Sequence, residues 1–161
     1  MDASLCRDHL ERILTDEAAA LERLESLLDR EHKIIVDQDL DALERSGAER
    51  QTCVGDLLRI EDERRSLCRQ LGKKADASGL NEVVLWCDPR STLQLYLDEC
   101  AVRAIRCRAA NDRNGMLVAS RLKRVEGLLN AITGREQAHT YGNKQFAQSP
   151  AASGRVIRSQ A

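Results

Sequence analysis

The sequence has few of the residues that build compact mixed folds. It contains one Trp, one Phe and two Tyr in 161 residues, and only two Pro. Aromatic side chains bury large apolar areas, so this chain must build its core mainly from Leu, Ala, Val and Ile. Charged residues make up 32% of the chain. A Leu/Ala/Glu/Arg-rich, Pro-poor composition is typical of long helices and coiled coils and argues against a catalytic α/β domain.

The chain also lacks a strong excess of either charge and any long apolar run. Its net charge is -1, which argues against nucleic-acid binding, because that function needs a dense basic face. No stretch approaches the ~18 apolar residues of a membrane helix, and the charged N-terminus does not fit a signal peptide. The sequence therefore predicts a soluble cytoplasmic protein without stable membrane insertion.

Sequence patterns for catalytic, cofactor and metal sites are missing as well. The six Cys form no C-x-x-C pair and no Cys/His cluster with zinc spacing. Cys100 and Cys107 lie seven residues apart on one helical face, as small buried hydrophobes do. Phosphate-binding Gly loops are absent. We therefore predict no catalytic residue, no cofactor and no metal site, and interpret His9 and His32 as surface residues.

Apolar periodicity predicts a long N-terminal helical hairpin. Leu residues with spacings of three, four and seven predict a helix over 3–37 that Asp2 or Ser4 caps. Asp39 is a good N-cap for a second helix over 40–71, which ends at the Gly of "GKK". The short junction makes the two helices antiparallel neighbours.

The second half of the chain predicts shorter helices. "GLNEVVLWC" (79–87) is interpreted as one or two turns with Trp86 as a core plug. Asp88 is the expected N-cap of a third helix, with Pro89 at its first position. That helix is expected to face inward through Leu93, Leu97, Cys100, Ala104 and Cys107.

The next segment, "NDRNG" (111–115), is interpreted as a turn. A fourth helix is expected over 116–133, with Gly134 as its C′ residue. The predicted fold is an all-α antiparallel helical bundle with a long N-terminal hairpin, two shorter helices and a disordered C-terminal tail. We expect a bundle domain over 1–134 and a flexible tail over 135–161.

Several of these segments together resemble the flagellar export chaperones of the FlgN type. The resemblance spans roughly residues 5–145. It includes "DQDLDALERSGAERQ" at the hairpin and "GMLVASRLKRVEGLLNAITG" in the last helix. In that family Asn residues open the last long helix, a Gly closes it and a Tyr-Gly pair follows. The matching positions here are Asn111, Asn114, Gly115, Gly134, Tyr141 and Gly142.

The resemblance implies a non-enzymatic chaperone with two kinds of partner. Such proteins bind hook-associated proteins as cargo, keep them unassembled in the cytosol and deliver them to the flagellar type III export apparatus. A groove or surplus apolar line on the bundle suits an amphipathic helix of the cargo. The candidate contacts on the last helix are Leu117, Val118, Leu122, Val125, Leu128, Leu129 and Ile132.

Two tail aromatics complete the candidate set. Tyr141 and Phe146 are either anchors for cargo or export gate, or incidental tail residues. A long apolar hairpin can also self-associate into a homodimer. Three alternatives stay open: a chaperone for the filament cap or filament protein, a coiled-coil scaffold, and a four-helix enzyme or metal protein. A sustained heptad would mark the scaffold, and bound metal or cofactor would mark the enzyme.

Overall fold

The structure is a computed structural model that describes residues 2–134. Within that range the chain forms helices and no strand. The helices are α1 (Ala3–Asp37), α2 (Leu40–Gln70), α3 (Ala77–Cys87) and α4 (Gln94–Thr133). The predicted all-α helical bundle with a long N-terminal hairpin is confirmed. The predicted tail, with Tyr141 and Phe146, lies outside the described residues.

Both helices of the hairpin start at the predicted caps. Asp2 accepts a hydrogen bond from the backbone N–H of Leu5 at 3.0 Å, and Asp39 accepts one from Ala42 at 2.9 Å. Each cap satisfies an N–H group that has no partner inside its helix. Gln38 joins the two helices in the left-handed conformation, with φ at 62°. This two-residue reversal at Gln38 and Asp39 brings α2 back along α1.

Ion pairs show that α2 runs antiparallel to α1. The residue numbers of the α1 partners fall as those of the α2 partners rise. The pairs are Arg30–Glu49, Arg23–Asp56 and Glu17–Arg64. Such exposed or half-exposed pairs contribute little stability each, so apolar packing must hold the hairpin together.

The first apolar cluster lies where α3 covers the open end of the hairpin. It combines α1 and α2 residues with one face of α3 and with Leu93. The buried members are Cys6, Leu10, Ile13, Leu14, Leu67, Cys68, Val83, Val84, Cys87 and Leu93. Because Val83, Val84 and Cys87 turn inward, Trp86 points outward and is 48% exposed. The prediction that Trp86 plugs the core is therefore wrong.

The connection between α3 and α4 differs from the predicted one. Asp88 is the C-cap of α3, not the N-cap of a helix that begins with Pro89. Its buried carboxylate accepts from the backbone N–H of Leu93 at 2.6 Å and from the Thr92 hydroxyl at 2.9 Å. Arg7 of α1 donates to the same Thr92 hydroxyl at 3.3 Å. Asp88 thus fixes the connection onto α1, and α4 begins only at Gln94.

Stability is expected to depend on the charge of Asp88. The hydrogen bond from Leu93, helped by those from Thr92 and by Arg7, holds the pKa of the Asp88 carboxyl below its usual value of 3.8. A lowered folded-state pKa gives stability that is complete above the usual value and is lost as the pH falls through and below it. Asp88→Asn should therefore destabilise the fold at pH 7 and flatten the fall in stability between about pH 5 and pH 2.

Thermal melts of both proteins across this pH range would measure the effect. Asp98→Asn, on an exposed carboxylate of α4, is the matched control. Parallel pH curves for wild type and Asp88→Asn would contradict the assigned role of Asp88.

The segment "NDRNG" is helical, and the prediction of a turn there is wrong. α4 runs without interruption from Gln94 to Thr133. Asn114 is buried, with its side-chain amide donating to the carbonyl of Leu28 at 2.8 Å and accepting from His32 at 3.0 Å. These contacts satisfy the polar side chain inside the bundle, so it does not need to form a turn.

α4 packs along α1 in the same direction, with a constant register. The side chains of four α4 residues, seven positions apart, donate hydrogen bonds to backbone carbonyls of α1. The pairs are Cys100–Leu14, Cys107–Leu21, Asn114–Leu28 and Arg121–Val36. The first three pairs are separated by 86 residues each. Small side chains on α4 allow this close approach, and they form a second apolar cluster with Leu21 and Leu28.

The described part of the chain divides into two units, with the boundary after Val125. The first contains the hairpin, α3 and most of α4. In the second, the structure describes the last residues of α4 and Gly134, which follows the helix with φ at +65°. This left-handed conformation favours glycine, and it confirms Gly134 as the residue that closes the helix.

Candidate partner-binding surface

The register between α1 and α4 determines the residue of α4 beyond which α1 no longer packs against it. With the offset of 86 residues, Asp37, the last residue of α1, lies level with Lys123 (37 + 86 = 123). Just before this point Arg121 donates to the carbonyl of Val36 at 3.0 Å. Val125 therefore follows the level at which α1 ends.

Most of the predicted contact residues on α4 are exposed. Their side chains are between 46% and 81% accessible, and spacings of four and three place them on one side of the helix. We call this set the terminal face: Val118, Leu122, Val125, Leu128, Leu129 and Ile132. Leu117 differs, because it is half-buried.

Solvent exposure of this apolar set is unusual for a helix of a bundle. An amphipathic helix normally turns its apolar stripe toward the core, and contiguous exposed apolar surface marks an interaction site. Up to Asn114 the buried positions of α4 are small or polar residues: Cys100, Cys107, Ala110 and Asn114. The larger apolar residues of the terminal face are thus available to a partner.

Positive charge accompanies the terminal face. On the helical projection Arg121 lies within it, Arg124 borders it and Lys123 lies on the opposite side of the helix. Glu126 is the one acidic residue between positions 116 and 134. Lys123 and Arg124 are exposed, while Arg121 is half-buried. The surface is therefore both apolar and basic, although the whole chain carries a net charge of -1.

Sequence reasoning missed a cleft between α2 and α4. Leu24 and Leu28 of α1 form its floor, Gly47 and Val54 line it from α2, and Cys107 from α4. Its volume is about 580 Å³. The signal in the sequence was Gly47, a poor helix former that leaves space where another residue would place a side chain.

A polar bridge crosses the cleft at one end. Arg50 of α2 donates to the side chain of Asn111 on α4 at 3.3 Å, and its Nε lies 3.4 Å from the buried carboxylate of Glu31 on α1. One guanidinium thus joins all three long helices at the level where Asn114 bonds to Leu28. A pairing of this kind between buried and bridging polar groups favours one helix register over others.

An exposed apolar face on a helical bundle suits several classes of binding protein, and the sequence comparison decides among them. Residues 5–149 match the family model of the FlgN protein. The chain belongs to the FlgN family. The matched region covers α1 to α4 almost completely and includes every residue of the terminal face. Comparison with curated proteins and with solved structures finds no match.

Membership of the FlgN family makes this protein a flagellar export chaperone. The family consists of chaperones and not of enzymes. Within residues 2–134 no group of three His, Cys, Asp or Glu side chains is placed to hold a metal ion. No described helix is long and apolar enough to cross a membrane.

The cysteines of this FlgN-family chain serve packing. All six are free and buried. Burial raises the pKa of Cys6 to about 12, helped by the neighbouring thiol of Cys87, and raises that of Cys100 to about 11. A thiol must ionise to act as a nucleophile or metal ligand. Cys6 and Cys100 therefore stay protonated at neutral pH. The buried cysteines pack as small apolar side chains, as the spacing of Cys100 and Cys107 predicted.

Proposed function

We propose that this FlgN-family chaperone binds hook-associated proteins in the cytosol, prevents their premature assembly and delivers them to the type III flagellar export gate. The observation that carries the proposal is the exposed terminal face of α4 in a chain of this family. The proposed contacts are the terminal face, the adjoining Leu117, and Tyr141 and Phe146.

The chemistry of the face suits an amphipathic helix of the cargo. Subunits that assemble through helices expose an apolar stripe until they meet their neighbours, and a complementary apolar face shields that stripe. Side chains at positions 118, 122, 125, 129 and 132 repeat every three or four residues, which is the spacing that a partner helix presents in return. Binding at this face would therefore occupy the surface through which the cargo assembles.

The test is capture of cargo by charged and truncated variants. We expect the full chain to capture one or two hook-associated subunits, identified by mass spectrometry, from the cytosol of flagellated cells. Leu128→Glu should lower the affinity for the purified cargo at least tenfold, because a carboxylate on an apolar contact must be desolvated. Ile105→Glu, an equally exposed apolar residue of α4 outside the terminal face, should bind as the unchanged chain does.

The tail is tested by a chain that ends at Gly134 and by Tyr141→Ala and Phe146→Ala in the full chain. Loss of capture in all three would assign the two aromatics to the contact. Retained capture would leave the terminal face as the contact. Retained helicity of the truncated chain would support the expected domain boundary at residue 134.

Other results would replace the proposal. Capture of the filament cap or filament protein would assign the chain to that cargo. Self-association without capture of a flagellar subunit would favour a coiled-coil scaffold. Full cargo affinity in Leu128→Glu, with helicity unchanged, would remove the terminal face from the binding site.

A further inference from the structure

We infer that the terminal face of α4 also binds peripherally to membranes that contain anionic lipids. The inference goes beyond cargo binding, and its main test uses the chain without cargo. It follows from the combination of exposed apolar and basic side chains on one helix. A membrane interface attracts helices with this combination, because acyl chains accept the apolar face while anionic headgroups attract Lys and Arg.

The apolar part of the argument rests on position and exposure. Successive helical positions are 100° apart, so the terminal face spans about 120° of the circumference of α4. All six of its residues are exposed, although they lie on a helix that is otherwise packed against α1. Before the level at which α1 ends, the same arc faces α1, to which Asn114 and Arg121 donate hydrogen bonds. Beyond the end of α1, an arc of this width can enter the boundary between headgroups and acyl chains while the opposite side stays in water.

The basic part of the argument identifies the kind of membrane. On the helical projection Arg124 borders the terminal face at its edge, and Arg121 lies within its arc, where it also donates to the carbonyl of Val36 on α1. Lys123 lies on the opposite, solvent side, from which a long side chain reaches toward headgroups. Glu126 is the one acidic residue of α4 between positions 116 and 134, and Asp37 at the end of α1 lies level with Lys123. Attraction between these groups and anionic headgroups favours a charged over a neutral membrane.

An acidic protein surface is a weaker candidate for the same site. Its carboxylates would pair with the three basic residues, but the six apolar side chains between and beyond them would need a matching apolar surface as well. A bilayer interface supplies both without a specific shape. No described helix is long and apolar enough to cross a membrane, and the binding that we infer lies at the membrane surface.

Lipid and cargo are expected to exclude one another. This consequence rests on the proposed function, since both partners would use the terminal face. A membrane with anionic lipids would then compete for the face and favour release of cargo at the membrane surface.

Co-sedimentation of the purified full chain with vesicles tests the inference. We expect binding to vesicles of phosphatidylcholine with 30% phosphatidylglycerol, and weak or no binding to pure phosphatidylcholine. Raising the salt concentration from about 0.05 M to 0.5 M should release the chain, because it screens headgroup attraction. Neutralising two basic residues in Lys123→Gln/Arg124→Gln should lower the partition coefficient about 30-fold.

Matched variants separate the terminal face from the rest of α4. Arg106→Gln/Arg108→Gln removes the same charge from exposed positions elsewhere on the helix and should bind almost as the unchanged chain does. Leu122→Gln/Val125→Gln should lose binding, whereas Val102→Gln/Ile105→Gln, also on exposed residues of α4, should keep it. Circular dichroism of each variant confirms that the helices persist.

Several outcomes would overturn the inference. One is binding to neutral vesicles as strong as that to anionic vesicles, and another is no binding to either kind. A third is a loss of vesicle binding in the control variants as large as that in the terminal-face variants. A stable dimer that ignores vesicles would show that a second copy covers the face. Binding by the chain that ends at Gly134, but not by the full chain, would show that residues 135–161 cover it. Failure of cargo capture alone would leave vesicle binding unaffected, so the two proposals fail separately.

Discussion

Leu14→Ala is expected to lower the free energy of unfolding by about 3–4 kcal/mol. Leu14 is fully buried in the cluster that joins α1, α2, α3 and the start of α4. Truncation removes apolar contacts and leaves a cavity whose walls are held by three helices, so they collapse only partly. Guanidinium denaturation followed by circular dichroism measures the change.

The matched control for Leu14→Ala lies on the exposed side of the hairpin. Leu58 of α2 is 62% exposed, so Leu58→Ala should change the unfolding free energy by less than about 0.5 kcal/mol. Similar losses in the two variants would show that the core is not where α1, α2 and α3 meet.

Asn114→Asp is expected to destabilise the fold by about 2–3 kcal/mol at pH 8. The substitution preserves shape but replaces the amide donor that faces the carbonyl of Leu28 at 2.8 Å. Two acceptors would then face one another in a site that is 3% exposed. His32 still donates to the other oxygen, so the loss is confined to the Leu28 side.

The effect of Asn114→Asp should be smaller at pH 4 than at pH 8. A protonated carboxyl again donates to Leu28, so the fold favours the protonated form and loses stability as the pH rises. Asn111→Asp is the control on the same helix. Its side chain accepts from Arg50 and is exposed, and a carboxylate accepts this bond equally well. A loss in Asn111→Asp as large as that in Asn114→Asp would contradict the register of α4 on α1.

The helical hairpin was predictable because its signals are local. Leu10, Leu14, Leu21 and Leu28 repeat at helical spacing and are all buried. Asp2 and Asp39 cap their own helices within three residues. These features need no knowledge of distant segments, so the sequence predicted the first two helices almost to the residue.

The course of α4 was not predictable, because distant partners determine it. Asn and Gly in "NDRNG" favour a turn in isolation, but α1 supplies a carbonyl and a His that bury Asn114 inside a helix. Asp88 showed the same limit. Asp before Pro resembles a helix start, whereas bonds to Leu93 and Thr92 make it the centre of a connection.

The sequence predicted which apolar residues form the candidate surface, but not why they are exposed. The sequence showed surplus apolar residues on the last helix. It did not show that α1 ends level with Lys123, which depends on the register of two helices 86 residues apart. The cleft beside Gly47 escaped for the same reason, since three helices form it. Tyr141 and Phe146 stay predictions.

The donors on α4 that bond to α1 recur every seven residues, so a register shifted by seven residues would again place donors opposite carbonyls of α1. If α4 shifted by seven residues toward the start of α1, Cys107 would face Leu14 and Asn114 would face Leu21, each again opposite a carbonyl. The shift would, however, place the guanidinium of Arg121 at the buried position opposite Leu28 and separate Asn111 from Arg50. Burying a charge is costly. Arg121 and the hydrogen bond between Asn111 and Arg50 therefore favour the observed register over the shifted one. They thereby fix which residue of α4 lies level with the end of α1.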